Sequence, residues 1–332
     1  MDPVNAGDSA SPPPALPPGP RTVSRFWRRL AAFLFDGMIL GCFGFFVGLF
    51  LFEFFASLGA WGRLVGLAVT LPYFGILDSS VGGGQTLGKR IMKIEVIDGT
   101  GAHIPLARSI FRYLFLGIPI LLNGAPIQFG TATILLGALI GFLVFGMGGS
   151  DLYLFAFNRR TRQSLHDLAT GTFVVTRDGS GQAVTRPFWR PHLAILGSWC
   201  LVILSFGAFV PLTARHGPFP KLLSLQERLM ASGMVLSSSV FVGTNYSYVN
   251  GVKTETAYLQ ANAIWKNRPR DYREAANEVA SIALKNYPDI GREGVLVVTI
   301  TYGYDIGISR AWISKSYQHS PREWTSLLPK PI

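Results

Sequence analysis

An aspartate lies inside the first long apolar stretch of the chain. The stretch begins "RRLAAFLFDGMIL" at residue 28, and its acid is Asp36. A charged carboxylate in hydrocarbon costs roughly 2.5–3.5 kcal/mol on insertion scales, so it should face the bundle interior, pair, or bind a proton or cation. Arg29 lies two helical turns earlier, on the same helix face. Asp36 is therefore a candidate functional residue.

A second acid lies at a similar predicted depth. Asp151 precedes Arg159 by eight residues, as Asp36 follows Arg29 by seven, which places both acids about 10 to 12 Å from a basic end. If the helices touch, the two carboxylates could share one proton or cation, as in proton-coupled transporters. The alternative is that each acid bonds a neighbouring backbone or hydroxyl group and fixes helix packing.

Two polar stretches contain motif-like residues, and neither indicates an enzyme. "GGGQTLGKR" fits G-x-x-x-x-G-K from Gly83, but Arg90 stands where a nucleotide-binding loop needs a hydroxyl for magnesium. In "RRTRQSLHDLATGTFVVTR" the neighbours His166 and Asp167 should diverge, and spacing fixes no nucleophile nearby. We expect Asp167 to cap a helix or pair with arginines, and "TFVV" to form a short strand with "IEVID". No catalytic residue and no cofactor is predicted.

The composition is that of a membrane protein. The 332 residues are 49% hydrophobic and 15% charged, whereas soluble domains carry about 25% charged residues. Cys42 and Cys200 fall in apolar stretches, which favours helix packing over a disulfide or a metal site. The net charge of +11 is explained by basic loops beside apolar stretches, so nucleic acid is not a predicted partner.

About five transmembrane helices are predicted, because about 20 apolar residues cross a bilayer. The third should be short, with a turn in "NGAPIQFG", residues 123–130. Lys and Arg cluster on one side of this topology, which predicts a cytoplasmic N-terminus and an outer C-terminal domain. The predicted divisions are a disordered Pro-rich cytoplasmic tail (1–21), a membrane domain (22–178), a basic cytoplasmic linker (179–191), a fifth transmembrane helix (192–213) and an extracytoplasmic α+β domain (214–332).

The outer segment has the pattern of a small antiparallel sheet with one or two helices. Asn250-Gly251 stands between two runs rich in Tyr, Val and Thr, a strong hairpin signal. The polar positions change phase between residues 255 and 260, which predicts a bulge or a strand end. "DYREAANEVASIALKNYP", from Asp271, predicts a helix, and a second hairpin follows it.

The stretches "RRLAAFLFD", "GGQTLGKRIMKIEVID" and "RRTRQSLHDLATGTFVV" together resemble the RDD family of bacterial membrane proteins, over roughly residues 22 to 178. The family is named for one arginine and two aspartates, which the resemblance assigns to Arg29, Asp36 and Asp167, with Arg28 as the alternative arginine. It implies a multi-pass protein of the cell membrane, for which transport of unidentified ligands is suggested and cation/proton exchange is proposed in some members. The remaining motif residues are Gly84, Gln85, Thr86, Gly88, Lys89, Arg90 and His166.

Two functions are compatible with these observations. The first is transport of an ion or small molecule through the region of Asp36 and Asp151, by a homo-oligomer because five spans are few for a solitary transporter. The second is a membrane scaffold or assembly factor whose outer domain binds an envelope protein. An enzyme is not expected.

Overall fold

The computed structural model describes residues 19–125, 133–213, 217–249, 252–291 and 294–328. Most of the predicted Pro-rich tail, most of the predicted turn at 123–130 and the Asn250-Gly251 pair lie outside the described residues.

The first part of the described chain is mainly helical. Its helices are α1 (Phe26–Phe50), α2 (Phe52–Leu58), α3 (Gly62–Leu77), α4 (Leu87–Ile91), α5 (Leu106–Leu122), α6 (Thr133–Gly141), α7 (Gly148–Phe157), α8 (Leu165–Thr170) and α9 (Pro191–Thr213). A 3-10 turn, Gly59–Trp61, joins α2 to α3.

Four helical segments in the described residues are long and apolar enough to cross a membrane. They are Phe26–Phe50, Phe52–Leu77, Leu136–Phe157 and Pro191–Phe209. The expected short third segment corresponds to α5, whose 17 residues extend about 26 Å, slightly less than a hydrocarbon core of about 30 Å.

A π-helical turn, Phe142–Met147, joins α6 to α7 in one continuous helix. The indole of Trp199 on α9 donates to the carbonyl of Phe145 over 2.8 Å. A Cβ on Gly149 would lie 2.8 Å from the nitrogen of that indole, so only glycine at this position lets the ring pack this closely. The glycines of this stretch therefore allow close packing against α9 beside a widened helical turn.

Two small sheets lie beside the bundle. β2 (Ile94–Asp98) pairs antiparallel with β3 (Thr172–Thr176), which confirms the expected pairing of "IEVID" with "TFVV". β1 (Pro20–Thr22) pairs parallel with β4 (Ser180–Val184), inside the segments expected to be tail and linker. Arg21 holds this pair in place through an ion pair with Glu95 at 2.8 Å, a tertiary contact that spacing does not reveal.

The C-terminal part is a four-stranded sheet with helices on one face. Its elements are α10 (Phe219–Ala231), β5 (Val235–Val249), β6 (Val252–Trp265), α11 (Tyr272–Asn286), β7 (Val295–Asp305), β8 (Arg310–His319) and α12 (Pro321–Leu327). The strand order is β5-β6-β7-β8. The expected antiparallel sheet was wrong for one pair: β6 and β7 are parallel, because the chain crosses over through α11 between them. Helix α11 begins where expected, with the Asp271 carboxylate accepting from the Arg273 amide over 2.7 Å. The expected helical membrane part followed by a strand-rich domain is confirmed.

β5 and β6 extend beyond the rest of the sheet as a two-stranded ribbon. β6 pairs with β7 only over Tyr258–Ile264, whereas its pairing with β5 continues to Val252. The register shifts only between Val235 and Ser237, so no bulge lies at the change of phase near residue 257. The alternation of polar and apolar residues changes there because the pairing of β6 with β7 ends. Neither face of the ribbon is covered by α10, α11 or α12, so neither face must be apolar.

The β7–β8 turn packs between α1 and α3. A Cβ on Gly66 would lie 2.0 Å from the carbonyl oxygen of Ile306, and one on Gly44 would lie 2.9 Å from Ser309. Arg63 donates hydrogen bonds to the carbonyls of Leu121 and Asn123 at 2.6 and 2.7 Å. These bonds give partners to two carbonyl groups at the C-terminal end of α5. It also forms an ion pair with Asp305 of β7 at 2.7 Å, and Tyr302 of β7 donates to Glu53 of α2. We call this end of the bundle the sheet end, and the end near Arg29 the basic end.

Candidate binding crevice at the basic end

Asp36 is buried on α1 and accepts three hydrogen bonds. The donors are the Tyr73 hydroxyl of α3 at 2.6 Å, the Thr86 hydroxyl at 2.6 Å and the Gly88 amide of α4 at 2.7 Å. A Cβ on Gly88 would lie 2.1 Å from the carbonyl oxygen of Ala32, so only glycine lets α4 approach the carboxylate this closely. Asp36 therefore joins α1, α3 and the start of α4.

Arg29 and Asp167 form a buried ion pair at the base of the same region. The Nη2 atom of Arg29 lies 2.6 Å from Oδ2 of Asp167 and 3.0 Å from the Ser164 hydroxyl. Asp167 also accepts from the Ser164 amide at 3.1 Å, which caps α8 as expected. Burial raises the pKa of Asp167, but the charges of Arg29 and Arg112 lower it by more, and the net pKa lies well below its ordinary value.

Arg112 of α5 connects Asp167 to a further carboxylate. Its guanidinium lies 2.7 Å from Asp167 and 2.9 Å from Asp78, which follows α3. Asp78 also accepts from Lys89 of α4. Burial lowers the pKa of Lys89 below its ordinary value, although Asp78 opposes that shift. These contacts form a continuous chain of charges from α1 to α4.

Asp151 of α7 pairs with His166 of α8, and it forms no hydrogen bond with Asp36. Its Oδ1 lies 2.7 Å from Nδ1 of His166 and 3.2 Å from the His166 amide. The other ring nitrogen of His166 lies 3.5 Å from Asp167. The expected divergence of His166 and Asp167 is therefore absent, because the ring lies between the two carboxylates. Each acid instead has partners of its own, as the packing alternative expects.

A crevice of about 270 Å³ lies above these charges, between α1, α5 and α7. Asp36, Asp78 and Asp151 line it with Arg29, Lys89, Arg112 and His166. The other lining residues are apolar or aromatic: Leu30, Phe33, Phe74, Ile94, Tyr113, Phe115, Leu116, Pro119, Ile120, Gly148, Leu152, Phe155 and Val174. Asp36 and Asp151 thus share a cavity without sharing a hydrogen bond.

The loop motif before β2 has local structural contacts. Gly84 has φ +69°, and a Cβ there would lie 2.6 Å from the Val96 oxygen. Gln85 donates to the Ile94 carbonyl over 2.8 Å, and Thr86 accepts the Lys89 amide as the N-cap of α4. Arg90 is exposed and outside the crevice. The motif therefore positions Thr86, Gly88 and Lys89 against α1.

Three site residues were missed from the sequence: Tyr73, Asp78 and Arg112. Arg112 is one of two charged residues between Ile110 and Phe157, and Asp78 directly follows the second apolar segment. An unusual charge beside an apolar run could have indicated both. Tyr73 carries no such signal. Groups of three or more metal-binding side chains are absent from the described residues.

Long apolar helices, a buried charge cluster at one end and a strand-rich domain at the other define a multi-pass membrane protein. The sequence model of the RDD family matches residues 23–171, which confirms the resemblance for that segment. Residues 172–332 lie beyond the match. No curated protein and no solved structure matches the chain.

Proposed function

We propose that the protein exchanges a monovalent cation for a proton at the crevice, with the Asp151–His166 pair as the proton-binding group. The observation that carries the proposal is the charge of the cluster. Four carboxylates, Asp36, Asp78, Asp151 and Asp167, face three basic groups, Arg29, Lys89 and Arg112.

An uncompensated charge is costly in a buried site, so the cluster should hold one further positive charge. A proton on His166 supplies that charge, because the four carboxylates then face four positive groups. A cation in the crevice balances them equally well with His166 neutral. Proton and cation therefore compete for one unit of charge, which is the requirement for exchange. Neither an enzymatic step nor a cofactor is part of this proposal.

The proposed topology has five crossings in a bacterial inner membrane. α5 supports it because Arg108 near its start contacts Thr170 at the basic end, whereas its last carbonyls contact Arg63 at the sheet end. With the basic end in the cytoplasm, the positive-inside rule is satisfied and the strand-rich domain lies outside. The bilayer is then the first partner of the chain.

The exchange is tested with the purified protein in vesicles that contain a pH-sensitive dye. A gradient of Na⁺ or K⁺ should move protons in the opposite direction, and Asp151→Asn should abolish this movement. Asp178→Asn is the matched control, because Asp178 is exposed outside the crevice. Full proton movement in folded Asp151→Asn would exclude the proposed role of the pair.

A second candidate function is partner binding by the outer domain, and the ribbon favours it. β5 is an edge strand of 15 residues without a charged residue or proline, whereas natural edges are usually protected by such residues. β7 ends at the bundle and β6 runs parallel to it, so β5 runs away from the membrane. Two copies in one membrane cannot pair this edge antiparallel. We therefore propose an extended strand of another envelope protein as the occupant.

A photoreactive residue at Asn245 on β5 tests this candidate, with one at Glu278 on α11 as the control. A single crosslinked envelope protein at position 245, absent at position 278, would support it, provided that Ser247→Pro on β5 removes the crosslink while the photoreactive residue stays at 245. Crosslinks only to a second copy of the chain would indicate a homo-oligomer instead. No crosslink at Asn245 would remove the second candidate.

A further inference from the structure

The mouth of the crevice is apolar and lies on the flank of the bundle. Phe33 of α1, Ile120 of α5 and Leu152 of α7 line it and are 43%, 50% and 67% exposed. All three belong to helices that would face hydrocarbon in a bilayer. A ligand that enters here therefore comes from the lipid phase, and its body must be apolar.

The size and the walls of the crevice favour an organic ligand over a bare inorganic ion. A volume of about 270 Å³ is much larger than that of one water, about 30 Å³. Hard inorganic cations require a shell of oxygen ligands, whereas most of the lining side chains are hydrocarbon. An organic ligand of modest size fits these walls better.

Aromatic rings give the crevice a preference for positive charge. Phe33, Phe74, Tyr113, Phe115 and Phe155 all line it, and ring faces attract cations. The Arg29 guanidinium already lies 5.2 Å from the centroid of Phe155. Phe74 and Tyr113 stack with centroids 4.9 Å apart, and both rings belong to the lining of the crevice.

The charged side chains of the crevice also favour a cationic ligand. Asp36 on α1 and Asp151 on α7 both line the crevice, and the cluster contains one more carboxylate than basic groups when His166 is neutral. An anionic headgroup would add to that excess. A monovalent cation removes it.

We propose that the crevice binds an amphiphilic organic monocation, with its charge between Asp36 and Asp151 and its apolar body among the rings of α1, α5 and α7. This proposal rests on the proposed cation exchange and names the class of cation. The cation enters sideways from the lipid phase, past Phe33 and Leu152.

The test measures binding of radiolabelled benzyltrimethylammonium to the full chain in phosphatidylcholine nanodiscs. Neopentylbenzene has the same shape without the charge and serves as the competitor. Saturable binding that excess unlabelled cation displaces, and that neopentylbenzene does not, is the expected result. Phe33→Ala should weaken binding about tenfold, the range of a desolvated cation–π contact. Phe35→Ala, which is on α1 but outside the crevice, should leave it unchanged.

The opposing results separate this inference from the exchange proposal. If Na⁺ drives proton movement in vesicles but benzyltrimethylammonium shows no saturable binding, the ligand class is wrong and the exchange stands. Equal displacement by neopentylbenzene would make the crevice a neutral apolar pocket. Loss of binding in phosphatidylglycerol nanodiscs would identify an anionic lipid as the occupant. Each of these three results overturns the amphiphilic cation.

Discussion

Arg29 and Asp167 are separated by 138 residues and form an ion pair of 2.6 Å, with side chains that are 7% and 0% exposed. This pair joins the first turn of α1 to α8, which is the last helix of the family-matched segment. It also selects between two adjacent arginines, because Arg28 is exposed.

Arg29→Gln should destabilise the protein by about 3–5 kcal/mol, because it leaves a buried carboxylate short of one partner. Arg28→Gln should change stability by less than about 0.5 kcal/mol, as surface substitutions do. Thermal unfolding of the two variants in detergent compares them directly. Equal losses would show that the 2.6 Å contact does not stabilise the fold.

Asp36→Asn should lower stability by about 1–3 kcal/mol, and Asp36→Leu should lower it further. Asparagine retains one acceptor oxygen for the three donors of Tyr73, Thr86 and Gly88, whereas leucine leaves the Gly88 amide buried without a partner. Melting temperatures of the two variants establish the order. A leucine variant more stable than the asparagine variant would favour the idea that Asp36 is mainly an uncompensated membrane charge.

Gly88→Ala tests the same junction from the other side. The added methyl would lie 2.1 Å from the Ala32 carbonyl oxygen, so α4 must move away from α1. Gly37→Ala on α1 is the control, since no heavy atom lies within 4 Å of its Cβ position and alanine is the better helix former. Only Gly88→Ala should lower the melting temperature.

Asp305→Asn should weaken the contact between the strand-rich domain and the bundle. The Arg63–Asp305 pair is largely buried, with side chains 10% and 13% exposed, whereas the Lys221–Asp289 pair is about half exposed. Hydrogen exchange at residues 305–309 should accelerate in Asp305→Asn and stay unchanged in the control Asp289→Asn. Unchanged exchange at these residues in Asp305→Asn would mean that glycine packing holds the turn without the ion pair.

The stability of the strand-rich domain should fall at high pH through Tyr302. Burial and the hydrogen bond to Glu53 raise the pKa of Tyr302 to about 12. Because this folded-state pKa exceeds the ordinary value of about 10, the contribution is fully present below pH ~10 and is lost as pH rises through 12. Denaturant unfolding from pH 9 to 12 should show a steeper decline for wild type than for Tyr302→Phe. Parallel declines would contradict this.

The proposed orientation can be checked with single cysteines at Asp178 and Glu278, in a chain whose Cys42 and Cys200 are replaced by alanine. Both positions are exposed, one at the basic end and one on α11. A membrane-impermeant thiol reagent should label position 278 and not 178 in cells with a permeabilised outer barrier. Labelling of 178 alone would invert the topology.

Local sequence patterns were sufficient to predict several structural elements. The Asp271 cap, the β2–β3 pairing and the succession of two strands, a helix and two strands all follow from periodicity and turn residues. The apolar composition also determined that the chain is a membrane protein, because hydrocarbon tolerates few charged residues. The cost of burying a carboxylate then singled out Asp36 and Asp151.

Only the tertiary structure decided the partners of these acids. Residue counting gives depth along a helix, but the neighbour of a side chain depends on how helices rotate and pack against one another. Equal depth therefore suggested that Asp36 and Asp151 share a proton. In the packed bundle, however, Asp36 forms hydrogen bonds with Tyr73 and Thr86, and Asp151 forms one with His166. For the same reason the sequence determined that charges must be compensated inside this bundle, and the fold determined which charges compensate them.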